Sequence, residues 1–444
     1  MTASPALAAT RPGAPRLRVR WNIFLFLFVF ALIGYLQRTS LSVAGVPMMQ
    51  ELSLSEEQLA WLFDAFILGY TIMQFPGGLL GQRLGARLTF VLIGLLAVAA
   101  MLVIPLAPLL GTGAALLAVL LLAQLVLGLA QGPIFPVSTG VFEAWFSTDK
   151  WSLVQGVQSM GLQIGAALAP LLIAPLMSAY GWQSAIVLTT VPALGVIAGW
   201  GWYARNRPTE HAQVSATELA ELGTTAGAPA GVTISWGRVR QLLANRDLLL
   251  LTLSYLFMNY VYYLLSTWVF LYLVQERHFT VLESGVLATA PPLAAAAGAG
   301  LGGYAASQLS RRFGVRFGLK IIPLLSLPAA GVLQYLAVDA VNAYLAVAAL
   351  ALCYACVELN EGPYWAATMH IARADSMAAT GLLNTGGNIG GLVGIPIIGY
   401  LAAHHAWTTA FILGTVLAVM SAAAWLLVDP TRAAASQIRA GAEA

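Results

Sequence analysis

A single arginine, Arg38, stands inside a run that is otherwise apolar or small and neutral, from Asn22 to Val46. A guanidinium in such surroundings costs about 2.5–3.5 kcal/mol on insertion scales, so it has to face a cavity or a partner. Its planar fork suits a carboxylate held in two parallel hydrogen bonds. The competing reading is a permanent pair with a neighbouring acid or with helix carbonyls. Glu358 and Glu361 lie i, i+3 in another apolar run, which places both on one helix face. Two carboxylates that close repel when both are ionised, and a proton taken up there relieves the repulsion. Such a pair can load and release a proton, or one of its members can latch onto an arginine.

Other polar side chains embedded in apolar runs are weaker candidates for the same site. Asp64 is a possible second titrating group or a partner for Arg38, although its place near the end of its run also suits simple hydration. Tyr255, Asn259, Tyr260, Tyr262, Tyr263 and Trp268 form a polar aromatic cluster. Tyrosine gives an apolar body with a hydroxyl, but at least half of these residues are expected to pack against lipid or helices. The amides Gln158, Gln163, Asn384 and Asn388 are expensive in lipid unless paired, so they are expected to face inward. Tyr35, Tyr70, Gln74, Gln131 and Trp365 join them by position. Arg83, Arg87, Arg311 and Arg312 sit in short basic turns and are expected to latch one side of the molecule.

The elements that position these residues follow from composition. Of 444 residues, 59% are hydrophobic and 9% charged, with a mean hydropathy of +0.81. A soluble chain needs more charge to cover its surface, whereas recurrent apolar runs of about 20 residues fit membrane-spanning helices. Runs such as Leu116–Leu129 do not alternate in polarity, which excludes a β-barrel. The spans are read at 21–47, 58–80, 88–108, 114–137, 152–176, 182–203, 247–274, 284–306, 317–338, 341–369, 377–402 and 407–428. That gives a tail (1–20), a six-helix bundle (21–203), a polar linker (204–246), a second six-helix bundle (247–428) and a second tail (429–444). Every Lys and Arg except Arg38 and Arg277 then falls on one side, so the tails and the linker are expected in the cytoplasm. Within the linker, Ala216–Leu222 reads as amphipathic and the Gly/Ala/Thr stretch after it as loose.

The halves repeat. Gln131-Gly-Pro-Ile-Phe matches Glu361-Gly-Pro-Tyr-Trp, and Gly156–Gly165 matches Gly381–Gly390. The Gly78–Arg87 segment matches Gly303–Arg312. Two similar bundles facing each other make a midplane cavity and can rock about it, which is the architecture of a transporter. Gly161-xxx-Gly165 and Gly386-xxx-Gly390 read as close-packed helix faces. Cys353 and Cys356 read as packing residues, since no further ligand completes a metal or redox site. No nucleotide loop or nucleophile–base arrangement occurs, so an enzyme or ATP-driven pump is not expected, and neither is a cofactor or nucleic-acid binding.

At these motifs the chain resembles the major facilitator superfamily, and within it the anion:cation symporter branch of hexuronate, galactonate and vesicular glutamate carriers. YLQRTSLSVAGVPMM is similar to the branch's first span, DAFILGYTIMQFPGGLLGQRLGAR to its second, and GPIFPVSTGVFEAWF to its fourth. RPTEHAQVSATEL in the linker and NTGGNIGG in span 11 are similar as well. The resemblance implies twelve transmembrane helices, an organic-anion solute and a substrate role for Arg38. Gln37, Gln124, Gln131 and Gln82 stand where the branch or superfamily has charged residues, and Ser307 replaces the second loop acid. Proton coupling is therefore not implied by the resemblance. The expectation is a monomeric secondary transporter of the bacterial inner membrane that imports a small carboxylate with a proton, the site being Arg38 with Glu358 and Glu361. The alternative is a proton-independent facilitator or exporter of a neutral or amphiphilic solute.

Overall fold

The computed structural model describes residues 18–222, 235–280, 283 and 287–432. Among the described residues, ten helical stretches are long and apolar enough to cross a membrane. One of them, Thr148–Tyr203, reverses at Gly181, whose φ of +80° lies in the left-handed region that favours glycine. It therefore crosses twice. A twelfth helix, Ala290–Phe313, is long enough but too rich in Ala, Gly and Pro to qualify by apolarity. The spans are α1 (Val19–Leu52), α2 (Glu56–Leu84), α3 (Ala86–Leu110), α4 (Gly113–Trp145), α5 (151–180) and α6 (182–203). After the linker come α7 (Arg246–Gln275), α8 (Ala290–Phe313), α9 (Val315–Asp339), α10 (Ala343–Ala372), α11 (Ser376–Ala403) and α12 (Trp407–Leu427). Helix α8 carries Pro291 and Pro292 in its first turn, where proline's missing N–H costs nothing.

Within each half, glycines let helices touch. A Cβ on Gly165 of α5 would strike the Leu32 carbonyl of α1, and one on Gly390 of α11 would strike the Leu256 carbonyl of α7. These are the two small-xxx-small faces expected from sequence, and both pack inside a half. The repeated Gly-Pro pairs have a second consequence. Helix α4 breaks at Gly132–Pro133 and α10 breaks at Leu359–Asn360, because Pro133 and Pro363 cannot donate to the carbonyl four residues earlier. In α10 the Asn360 amide donates to the carbonyls of Cys356 (2.8 Å) and Val357 (2.9 Å), satisfying the exposed end of the first segment. Cys353 is buried and donates to the Ala330 carbonyl of α9, a packing contact.

The linker is tied to both halves. Its helix Ala216–Leu222 forms where amphipathicity was expected and carries Glu218 against the start of α1. Arg20 is 1% exposed and donates to Glu218 at 3.0 Å and Glu221 at 2.7 Å. The Arg20 hydrogen bond holds Glu221 below the usual carboxylate range. A second linker helix, Trp236–Leu243, was not expected from sequence; it buries Val239 and Leu242 and leaves Trp236 exposed. The Gly/Ala/Thr stretch between them lies outside the described residues. Removing one partner of a buried pair strands the other charge, so Arg20→Ala is expected to cost about 3–5 kcal/mol. A thermal unfolding scan in detergent checks this, and an unchanged Tm would contradict it.

Candidate functional site

The helix breaks and the two halves converge on one cavity of about 50 Å³, smaller than the roughly 300–1,000 Å³ of drug-sized pockets. Its N-half wall consists of Tyr35 and Arg38 of α1, Tyr70 of α2, Phe135 of α4, and Ser159 and Leu162 of α5. Its C-half wall consists of Tyr255, Asn259, Tyr262 and Tyr263 of α7, Glu358, Glu361 and Trp365 of α10, and Asn384 and Asn388 of α11. The cationic group is on one wall and the carboxylates are on the other.

Among the described residues Arg38 makes no ion pair. Its guanidinium instead sits near three rings, 5.1 Å from Tyr35, 5.1 Å from Phe66 and 5.6 Å from Tyr70. Rings stabilise the cation through their quadrupoles, Tyr263 shares a side-chain hydrogen bond with it, and the guanidinium lines the cavity where an anion can reach it. Across the cavity the Tyr35 and Tyr262 hydroxyls hydrogen-bond at 2.7 Å, joining the two halves. Tyr263 donates to Asn388 Oδ1 at 2.9 Å, and Asn259 to the Tyr255 carbonyl at 2.8 Å. The polar atoms of the C-half wall are thus held in place by their own neighbours.

Glu361 is held by donors. Trp365 Nε1 donates to it at 2.8 Å, Tyr255 Oη at 3.0 Å and Ser159 Oγ, from the other half, at 3.5 Å. Glu358 lines the same cavity and is 2% exposed. Neither carboxylate pairs with Arg38 or with an arginine of the linker side.

On the side that carries the linker, the halves touch through glycine. A Cβ on Gly156 of α5 would meet Gly303 and Ala299 of α8, and one on Gly381 of α11 would meet Gln74 and Phe75 of α2. These two contacts are equivalent across the repeat. Gly78, Gly81 and Gly140 enclose Met377, and Thr139 bonds Thr380 at 3.1 Å. Polar links surround this seam. Ser376 donates to Glu143 at 2.6 Å, Ser307 to the Asp149 carbonyl at 2.5 Å, and Arg311 approaches Asp149 at 3.8 Å. Arg238 of the linker holds Asp375 at 2.9 Å; burial pushes the Asp375 carboxyl up and Arg238 draws it back. Of these acids only Asp149 meets one of the four loop arginines, Arg311; Glu143 is bonded by Ser376 and Asp375 by the linker's Arg238.

The structure brings together Arg38, Tyr35, Tyr70, Asn259, Tyr263, Glu358, Glu361, Trp365, Asn384 and Asn388. Several other expectations are corrected. Gln158 donates to Ser138 at 2.7 Å and joins α5 to α4, off the cavity. Gln74 is buried at the α2–α11 seam. Gln131 donates to Gln37 at 3.1 Å and lines two side recesses rather than the main cavity, one of about 20 Å³ with Tyr35, Arg38 and Tyr70 and one of about 30 Å³ with Gln37. Asp64 is exposed and outside the cavity, so it is no partner for Arg38. Arg87 donates to the Gly201 carbonyl of its own half, Arg312 lies over Phe313, and Arg83 is exposed, so of the four basic residues only Arg311 reaches across. The tyrosine cluster is richer than expected: Tyr255, Tyr262 and Tyr263 all line the cavity, and only Tyr260 turns away, to the Ala410 carbonyl. Phe135, Ser159 and Leu162 were missed. Their one sequence signal is helical spacing from Gln131 and Gln155.

The sequence profile of the Major Facilitator Superfamily matches residues 27–380. The chain belongs to that superfamily. Among curated proteins it is similar to a probable sulfoacetate transporter of Cupriavidus necator, 27% identical over 427 residues, covering 94% of this chain and 95% of that one. It is also similar to the hexuronate transporter of Bacillus subtilis, 26% identical, covering 90% and 93%. A probable galactarate/D-glucarate transporter of Escherichia coli is 27% identical, covering 92% and 94%. These are carriers of the kind that the branch resemblance names, and they are transporters, not enzymes. The fold matches the proton:xylose symporter XylE bound to 6-bromo-6-deoxy-D-glucose, with a TM-score of 0.74 at 13% identity, covering 93% and 96%. It also matches the transporter FucP in the outward conformation, with a TM-score of 0.71 at 14% identity, covering 93% and 100%.

Proposed function

We propose that this transporter imports a small organic anion by alternating access, with the anion's acidic group on Arg38 and a proton carried by the Glu358–Glu361 pair. The observation that carries the reading is an arginine with no anionic partner among the described residues, facing two carboxylates across one cavity. Three formal charges that line one cavity inside the spans and do not pair with one another are costly. An anion on Arg38 and a proton on a glutamate remove that cost together, which is a physical basis for coupling. The relatives named as sulfoacetate, hexuronate and glucarate carriers support an acidic solute, and the neutral Gln37–Gln131 pair supports a coupling site in the C-half. The concentration of Lys and Arg on the linker side supports a cytoplasmic linker in a bacterial plasma membrane. The glycine seam then closes the cytoplasmic side of the site.

Uptake into proteoliposomes tests the reading. An inward proton gradient is expected to stimulate accumulation of sulfoacetate or a hexuronate, and a protonophore to collapse it. Counterflow indifferent to pH would favour the facilitator alternative instead.

A further inference from the structure

The break in α10 separates the two carboxylates and gives them opposite surroundings. Glu361 opens the segment Glu361–Ala372. A helix N-terminus carries partial positive charge and favours a carboxylate. Every side chain that contacts Glu361 is also a donor: Trp365 Nε1, Tyr255 Oη and Ser159 Oγ. A proton on Glu361 would set an O–H among donors and forfeit an acceptor.

Glu358 closes the segment Ala343–Glu358, at the carbonyl end, where the helix field opposes negative charge. The groups that face it are Tyr354 and Glu361 on its own helix, Gln163 of α5, whose side chain hydrogen-bonds it, and Tyr255 and Tyr262 of α7; Tyr35 of α1 lines the same cavity. Helices α8 and α9 meet this part of α10 with Gly298, Gly302 and Ser326, which carry no charge. Among the described residues no Lys, Arg or His pairs with Glu358, and the one charged neighbour is Glu361, of the same sign.

We infer that Glu358 is the group that binds and releases the transported proton, while Glu361 stays ionised as a fixed counter-charge. Glu361 then has two roles: its charge makes a proton on Glu358 favourable, and its bond from Ser159 ties that charge to the opposite half. Glu358 also lines the cavity that receives the anion, so a solute on Arg38 changes the field at the group that titrates. This assignment rests on the proposed proton-coupled import.

The test compares Glu358→Gln, Glu358→Asp and Glu361→Gln in proteoliposomes, reading the pH profile of net uptake together with counterflow exchange. Glu358→Gln is expected to lose acid stimulation entirely, its ratio of acidic to neutral uptake falling to unity, while counterflow persists. Glu358→Asp is expected to keep the stimulation with a displaced midpoint, which a merely structural role would not produce. Glu361→Gln is expected to keep the stimulation and shift its midpoint to lower pH, because the negative neighbour is gone. Infrared difference spectra of the wild-type protein across the midpoint are expected to show a carboxyl band that Glu358→Gln removes. If Glu361→Gln flattens the profile and Glu358→Gln does not, the assignment is overturned but coupling at the pair stands. If neither variant alters the profile, coupling at this pair is overturned as well.

Discussion

Arg38→Ala abolishes concentrative uptake and removes the thermal stabilisation that the anion gives the purified protein. Losing one partner of a desolvated, hydrogen-bonded charge pair costs about 2–5 kcal/mol, which is roughly a 30- to several-thousand-fold loss of affinity. Arg38→Lys keeps the charge but not the fork, so it falls between wild type and Ala. The same position predicts little effect on folding. Among the described residues Arg38 makes no ion pair that its removal would strand, and what it loses is contact with Tyr35, Phe66 and Tyr70 and the hydrogen bond shared with Tyr263. Binding measured by thermal shift and uptake measured in proteoliposomes check both halves of this expectation. Retained anion binding in Arg38→Ala would remove Arg38 from the solute site.

Gly156→Val opens the seam on the linker side. The Cβ at Gly156 meets Ala299 and Gly303, both in the other half, so the added bulk falls on the contact between halves and each bundle keeps its own packing. Overpacking costs about 1–3 kcal/mol and is paid only in the closed form. That moves the equilibrium by roughly 5- to 150-fold towards a form open to the linker side. Gly381→Val repeats the experiment at the equivalent contact, against Gln74 and Phe75. A reporter cysteine at Ser159, in a background free of Cys353 and Cys356, reads the change as faster labelling by an impermeant thiol reagent from the linker side. Unchanged labelling in both variants would show that the seam is not the gate.

Much of this architecture was legible in the chain, because insertion into a bilayer depends on local sums. Whether a run of about 20 residues is apolar enough to cross needs no knowledge of its neighbours. The exception is instructive: α8 is poor in large apolar residues, and position between spans places it more than hydropathy does. The Gly-Pro motifs were legible as a repeat, but the breaks that they make in α4 and α10 came only with the structure, although proline's missing N–H acts within one turn. Arg38, Glu358 and Glu361 stood out for a related reason, because a charge in an apolar run requires a cavity whatever the rest of the molecule does.

What the sequence could not decide was which partner each polar group meets. Gln158 and Ser159 are neighbours on one helix, yet one joins α4 and the other reaches Glu361 in the opposite half. Arg87 and Arg311 occupy similar basic turns, yet one caps a carbonyl of its own half and the other crosses the seam. Asp64 sits one helix away from Arg38 in sequence and remains exposed. Such outcomes depend on helix rotation and on the few ångströms between packed faces, and glycines set these only once two helices are in contact. The amino-acid sequence by itself determined a twelve-helix membrane transporter with its costly charges on α1 and α10. Only the tertiary structure placed those charges on opposite walls of one cavity, and only it set one glutamate at a helix N-terminus among three donors and the other at a helix C-terminus beside it.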